Sequence, residues 1–211
     1  MARKKDQNKQ IYWILGVMIL VLVIILLIPA ASRWFNSFNY EGLSFTKERF
    51  GTIPVYHYYY NLKDVSGKVV QYNLFLRIDP RTNNATVKGD ILYHPKASTV
   101  YVTFNQTDIL TCPNVLREAS TLTSFLADNQ YKVKTGISDE SEAIANNVTF
   151  ITCEKYPSDM VISISKSNQT SIEKKLANCY NIKVADCAGL LEAVEKFEVQ
   201  SIIDAKNAAS N

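Results

Sequence analysis

Few side chains in this 211-residue chain have the reach to do chemistry, and their spacing favours structural roles. The two histidines are His57 and His94. His57 sits inside VYHYYYNL, where strand alternation puts Val55, His57 and Tyr59 on one face and Tyr56, Tyr58 and Tyr60 on the other. Its expected role is structural, although the tyrosine run is also a candidate carbohydrate-stacking or partner surface. A nucleophilic triad needs Ser or Cys beside an imidazole and a carboxylate, and no GxSxG-type elbow nominates one. Seven glycines form neither a GxGxxG loop nor a P-loop. Asp139, Glu140 and Glu142 are available for acid–base work or calcium, but as the first turn of a short helix they complement its dipole, which is the expectation here. No catalytic residue, metal ligand or cofactor is expected.

Cys112, Cys153, Cys179 and Cys187 lack the paired short spacings of zinc ligands, leaving two disulfides, buried thiols or a redox role. Among disulfide pairings, Cys179–Cys187 is disfavoured. If 180–185 is extended at about 3.3 Å per residue, its flanking cysteines lie well beyond the ~4.4–6.8 Å that a disulfide spans between Cα atoms. Suppose 148–153 and 160–165 form an antiparallel hairpin, and a helix at 169–178 returns 180–185 parallel to 160–165. Cys153 and Cys179 then share one end of a sheet, and Cys112 and Cys187 each follow a strand at the other. The favoured pairing is Cys153–Cys179 with Cys112–Cys187. Asn84, Asn105, Asn147 and Asn168 each begin an N-x-Thr sequon and are candidate glycosylation sites.

The elements that must position these residues begin with an anchor. Ile11 to Ala31 is an uncharged apolar run, and about 20 helical residues match a hydrocarbon core of roughly 30 Å. Before it, residues 1–10 carry Arg3, Lys4, Lys5 and Lys9 against Asp6. The positive-inside rule therefore expects a cytoplasmic N-terminus and an extracytoplasmic C-terminal domain, with Tyr12, Trp13, Trp34, Phe35, Phe38 and Tyr40 at the two interfaces. A cleaved signal is the competing reading, but the run is long and its candidate cuts leave Pro29 or Ile28 at a position that wants a small residue. Without the tail's four basic and one acidic residue, the 23 and 20 of the whole chain become 19 of each. That neutral remainder gives no reason to expect a nucleic-acid partner.

Residues 32–54 read as a juxtamembrane stalk and 55–105 as a β-rich unit. In that unit 55–62, 69–78, 86–93 and 99–104 form an antiparallel meander. Residues 106–205 read as an α/β unit. A helix opens near Pro113 with a stripe of Val115, Leu116, Ala119, Leu122, Phe125 and Leu126. Strands follow at 131–135, 148–153, 160–165 and 180–185, with helices at 139–146 and 169–178. A final helix, N-capped by Asp186, carries Leu190, Leu191, Val194 and Phe197 on one face. Val199 and Ile203 fall off that face, implying a bend or a change of partners near Glu198. Residues 206–211 are expected to fray. The fold class is α/β (α+β): an N-terminal transmembrane helix, an antiparallel β-meander, then a strand and helix alternation giving a mixed sheet.

The segments YEGLSFTKERFG, VYHYYY, YNLFLRIDPR and LLEAVEKFEVQSIIDAK, after a basic tail and single anchor, resemble uncharacterised single-span membrane proteins of archaea. That likeness implies location and no activity. The expected function is a membrane-anchored extracytoplasmic binding or structural module of the cell envelope, contacting the lipid bilayer and other envelope proteins or glycans. A membrane-tethered envelope hydrolase and a solute-sensing accessory subunit are the alternatives.

Overall fold

The computed structural model describes residues 12–26, 36–64, 66–91, 98–105, 109 and 111–210. Helix α1 runs through 12–26 with every side chain exposed. Among the described residues no helix is long and apolar enough to cross a membrane. Ile11, residues 27–31 and the basic tail 1–10, the remainder of the expected anchor, lie outside the described residues, as do His94, Trp34 and Phe35.

The stretch expected as a stalk instead supplies two strands. β1 (Ser37–Tyr40) and β2 (Leu43–Phe50) join β3 (Ile53–Lys63) and β4 (Val69–Leu76) in an antiparallel sheet of order β1-β2-β3-β4. Glu41 and Gly42 both take positive φ, +47° and +80°, the two-residue turn whose twist suits a hairpin. Asn39 Oδ1 accepts from Gly42 N at 3.0 Å and fixes that turn. Leu43 and Phe45 alternate inward and are fully buried, which draws β2 onto the core. β3 alternates as expected, with Tyr56, Tyr58 and Tyr60 toward the core and His57 and Tyr59 on the outer face.

The expected four-strand meander stops at β4. β5 (Thr86–Lys88) and β6 (Thr99–Phe104) belong to a second sheet of order β5-β9-β10-β8-β6-β7. Its other strands are β7 (Lys132–Ile137), β8 (Met160–Lys166), β9 (Ser171–Leu176) and β10 (Cys179–Val184). β7, β6, β8 and β10 run parallel, and β9 lies antiparallel to β10. Two expectations fail here. The segment expected as a helix at 169–178 is strand β9, because Ser171 and Ile172 are buried and the segment forms a hairpin with β10 around Ala177 and Asn178. The strand expected at 148–153 is a loop with one bridge, Phe150 to Ile137.

Helices α2 (Val115–Asp128) and α4 (Cys187–Ser210) lie between the two sheets, and the short α3 (Glu140–Ala145) packs beside β7. One core joins Leu43, Phe45 and Leu76 of the first sheet to Leu122 and Phe197 of the helices and Ile162 and Ile182 of the second. A smaller cluster of Tyr101, Ile151 and Val161 covers part of the second sheet's far face. α4 runs unbroken to Ser210, where fraying from 206 is expected; Lys206 is held to the Gly42 carbonyl instead. Leu190, Val194 and Phe197 are buried together with Val199 and Ile203, because the helix is enclosed on more than one side. The helix continues past Glu198 without a break, and residues on both sides of it join the same core.

Cys112 is bonded to Cys187 with Cα atoms 5.4 Å apart, and Cys153 to Cys179 at 5.7 Å. These are the pairs favoured from the sequence, and they clamp opposite ends of the second sheet. Cys179 begins β10, whereas Cys112 and Cys187 follow the C-terminal ends of β6 and β10.

Candidate functional site

α4 is fastened to the first sheet and its loops by polar contacts along its whole length. Asn83 Nδ2 donates to Glu192 O at 2.8 Å, Lys196 Nζ to Tyr40 Oη at 2.9 Å, and Lys206 Nζ to Gly42 O at 2.6 Å. The deepest of these contacts is a carboxylate cluster. Glu195 Oε1 accepts from Arg77 N at 2.8 Å and Oε2 from Ile78 N at 3.0 Å, so both oxygens hold the backbone as it leaves β4. Arg77 also pairs with Glu118 of α2, and Arg117 Nη2 reaches Glu118 Oε1 at 2.9 Å.

Glu118, Glu195 and Glu198 are all buried, Glu198 completely. Burial pushes the Glu195 carboxyl up to about 7, against the two backbone donors and the Arg77 charge, which favour ionisation. Burial, then repulsion from Glu195 and Glu118, holds the Glu198 carboxyl well above its ordinary value. Neither Glu198 oxygen has a hydrogen-bond partner among the described residues. A buried polar group of this kind is costly unless something satisfies it.

Glu198 lines a groove of about 370 Å³ between the β4 edge and α2. One wall carries Arg117, Ser120, Thr121, Ser124 and Asp128, and Tyr60, Leu74 and Phe125 supply apolar surface. Asn129 Nδ2 donates to Tyr60 Oη at 2.9 Å, fixing that ring's polar end. A second groove, about 540 Å³, lies on the α4 side of Tyr60 and is bounded by Tyr58, Leu62, Ile202 and Lys206.

The outer face of the first sheet is different in kind. Phe50, Tyr59 and Phe75 are 59%, 58% and 42% exposed, too large and too close together to be scattered surface residues. His57 stacks on Phe75 with ring centroids 4.4 Å apart. Its Nδ1 lies 2.9 Å from Glu48 Oε1 and its Nε2 3.0 Å from Asn73 Oδ1, so the imidazole is held in place by both nitrogens. That is the structural role expected of it, placed within an exposed aromatic patch.

The other sequence candidates are dispersed. Asp139 caps α3, accepting from Glu142 N at 2.9 Å, and hydrogen bonding from Ser141, more than any other contact, lowers its carboxyl pKa. Asn84, Asn105, Asn147 and Asn168 are exposed and lie between elements. Asn84, Asn105 and Asn168 all leave the same end of the second sheet, and the first sheet carries no sequon. Among the described residues no group of three or more His, Cys, Asp or Glu could hold a metal ion.

Sequence reasoning misses the glutamate cluster because a Glu in an amphipathic helix ordinarily belongs to the solvated face. Glu118 takes the place of Leu116 in the buried stripe of α2, leaving Leu116 76% exposed. The available signal is Arg77 at the end of an apolar strand. No family model matches the chain, and neither a curated protein nor a solved structure matches it, so the site rests on its own geometry.

Proposed function

We propose that this protein is an extracytoplasmic binding module, anchored to the cell membrane by its N-terminal apolar segment and contacting a neighbouring envelope protein through the outer face of its first sheet. The observation that carries the reading is the Phe50, Tyr59 and Phe75 patch around a fixed His57. Rigid aromatic rings with polar neighbours supply contact area at little entropic cost. The absence of sequons from that sheet supports the choice of face, since glycans on Asn84, Asn105 and Asn168 would coat one end of the other sheet.

The two disulfides fit an oxidising compartment, and the basic tail before an uncharged run supports the orientation. A tether to the same membrane raises the effective concentration of a weak contact to the millimolar range. Hydrolysis of envelope polymers draws less support. Glu195, the buried acid nearest to an acid–base role, has both oxygens committed to backbone N–H groups.

Anchorage is tested with protease added to sealed right-side-out vesicles carrying an N-terminally tagged chain. The expected result is loss of the C-terminal domain with the tag protected. Digestion of the tag, or release of the whole chain by carbonate, would overturn the anchored reading.

A further inference from the structure

Glu198 is unlike the other buried acids. Glu118 and Glu195 are held by arginine and backbone donors, whereas both oxygens of Glu198 are unpartnered among the described residues and the residue is fully buried. It also lines a groove whose helical wall is polar on the side turned toward the sheet. Arg117, Ser120, Thr121, Ser124 and Asp128 fall at i, i+3, i+4, i+7 and i+11, a single stripe of α2. Arg77 and Arg117 are engaged by Glu118 and Glu195, and Asp128 adds a further acid to the groove, so no side-chain cation is paired with Glu198. Buried charge is tolerated when paired, and a monocation of small size would complete this set.

We propose that the groove between α2 and the β4 edge binds a small organic ammonium compound, with its nitrogen on Glu198 and its carbon body between Tyr60, Leu74, Phe125 and the α2 hydroxyls. The volume of about 370 Å³ suits a molecule of amino-acid or small-diamine size. The aromatic rings there also favour a cation. Arg117 is engaged by Glu118 through both Nε and Nη2, so a simple amine without a carboxylate is the preferred member of the class. Burial holds the Glu198 carboxyl well above its ordinary value, so pairing its carboxylate with the ammonium favours release of a proton to solvent. The groups that set this exchange are Glu195 on the same helix, Glu118, Arg117 and Asp128 on α2, Arg77 after β4 and Tyr60 on β3. The groove meets the docking face at the β4 edge, where Asn73 and Phe75 also line it, and it gives the solute-sensing reading a ligand class.

The test is calorimetric titration of the full-length protein in nanodiscs at pH 6.5 with glycine, alanine, ethanolamine and putrescine, and with propionate and ethylene glycol as isosteres lacking the ammonium. Saturable binding of at least one ammonium compound is expected, with none by the isosteres. The apparent enthalpy should change between buffers of different ionisation enthalpy, reporting a released proton. Glu198→Gln should weaken binding at least 100-fold without lowering the melting temperature, and Ser124→Leu, which fills the groove from its exposed wall, should abolish it. Failure of every ammonium compound to bind, equal binding by propionate, or Glu198→Gln within threefold of the parent would overturn the proposal. Tyr59→Ser alters the docking face at a residue that does not line this groove, so loss of docking with ammonium binding retained separates the two readings.

Discussion

Raising the pH from 5 to 8 should destabilise the folded domain, by about 2.5 kcal/mol through Glu195 alone. Its carboxyl moves from an ordinary 4.5 to about 7 on folding, and each unit corresponds to about 1.4 kcal/mol. A folded-state value above the unfolded one means that the folded state holds the proton more tightly. The contribution is then fully present below about pH 4.5 and is lost as the pH rises through 7. Glu198, shifted in the same direction, extends the loss to higher pH. Among the opposing groups are Asp79, lowered first by its Arg81 hydrogen bond, and Glu173, lowered first by Lys183. Their stabilisation disappears only as the pH falls through their depressed values. Because both sit near solvent, they contribute little. Urea midpoints measured across pH 5 to 8 should therefore fall steadily, and Glu198→Gln should flatten the slope and raise the midpoint at pH 8. A flat or rising profile would show that the glutamate cluster is hydrated and ionised throughout.

The second large effect separates the two disulfides. Cys112–Cys187 closes 75 residues and Cys153–Cys179 only 26. On the chain-entropy account, loss of the longer loop's constraint costs about 4.5 kcal/mol and of the shorter about 3.5 kcal/mol. The bonds also restrain different things. Cys112–Cys187 ties the connection entering α2 to the first turn of α4, next to the Asp186 cap that accepts from Gly189 N at 2.8 Å. Cys153–Cys179 ties the 149–159 loop, whose Ile151 is fully buried, to the start of β10. Paired Cys→Ala replacements followed by denaturant unfolding should rank C112A/C187A as the more destabilised. Loosened packing around Tyr101 should be confined to C153A/C179A, visible as local hydrogen exchange. Reversal of the ranking would mean that local packing in the 149–159 loop outweighs the entropic term.

What is legible in the sequence follows from which physical signals are local. Alternation in VYHYYYNL and YNLFLRI is a property of adjacent residues, so β3, β4 and the two faces of the tyrosine run can be read directly. The disulfide pairing emerges even though two premises, a hairpin from 148–153 and a returning helix at 169–178, do not hold. It depends only on which end of the sheet each cysteine occupies, and the parallel pairing of β8 with β10 fixes that. β9 reads as a helix because SIEKKL is short and charged enough to suit either state; its hairpin partner β10 decides. β1 and β2 read as a stalk because a strand of LSFTKERF is stabilised by burying Leu43 and Phe45 under helices that arrive more than 70 residues later. The glutamate cluster is invisible for the same reason. Glu118, Glu195 and Glu198 look like ordinary helix-surface residues until α2, α4 and Arg77 are brought together.

The central claim is that the outer face of the first sheet is where this protein meets a neighbour. Its most direct test is a photoreactive phenylalanine analogue at Tyr59 in the full-length chain, irradiated in native membranes, with the same analogue at exposed Lys175 on β9 as the comparison. The account predicts a discrete protein adduct from position 59, weakened by Phe75→Ser and absent from position 175. No adduct from position 59, the same adducts from both positions, or an adduct that only glycan-cleaving enzymes remove would contradict it.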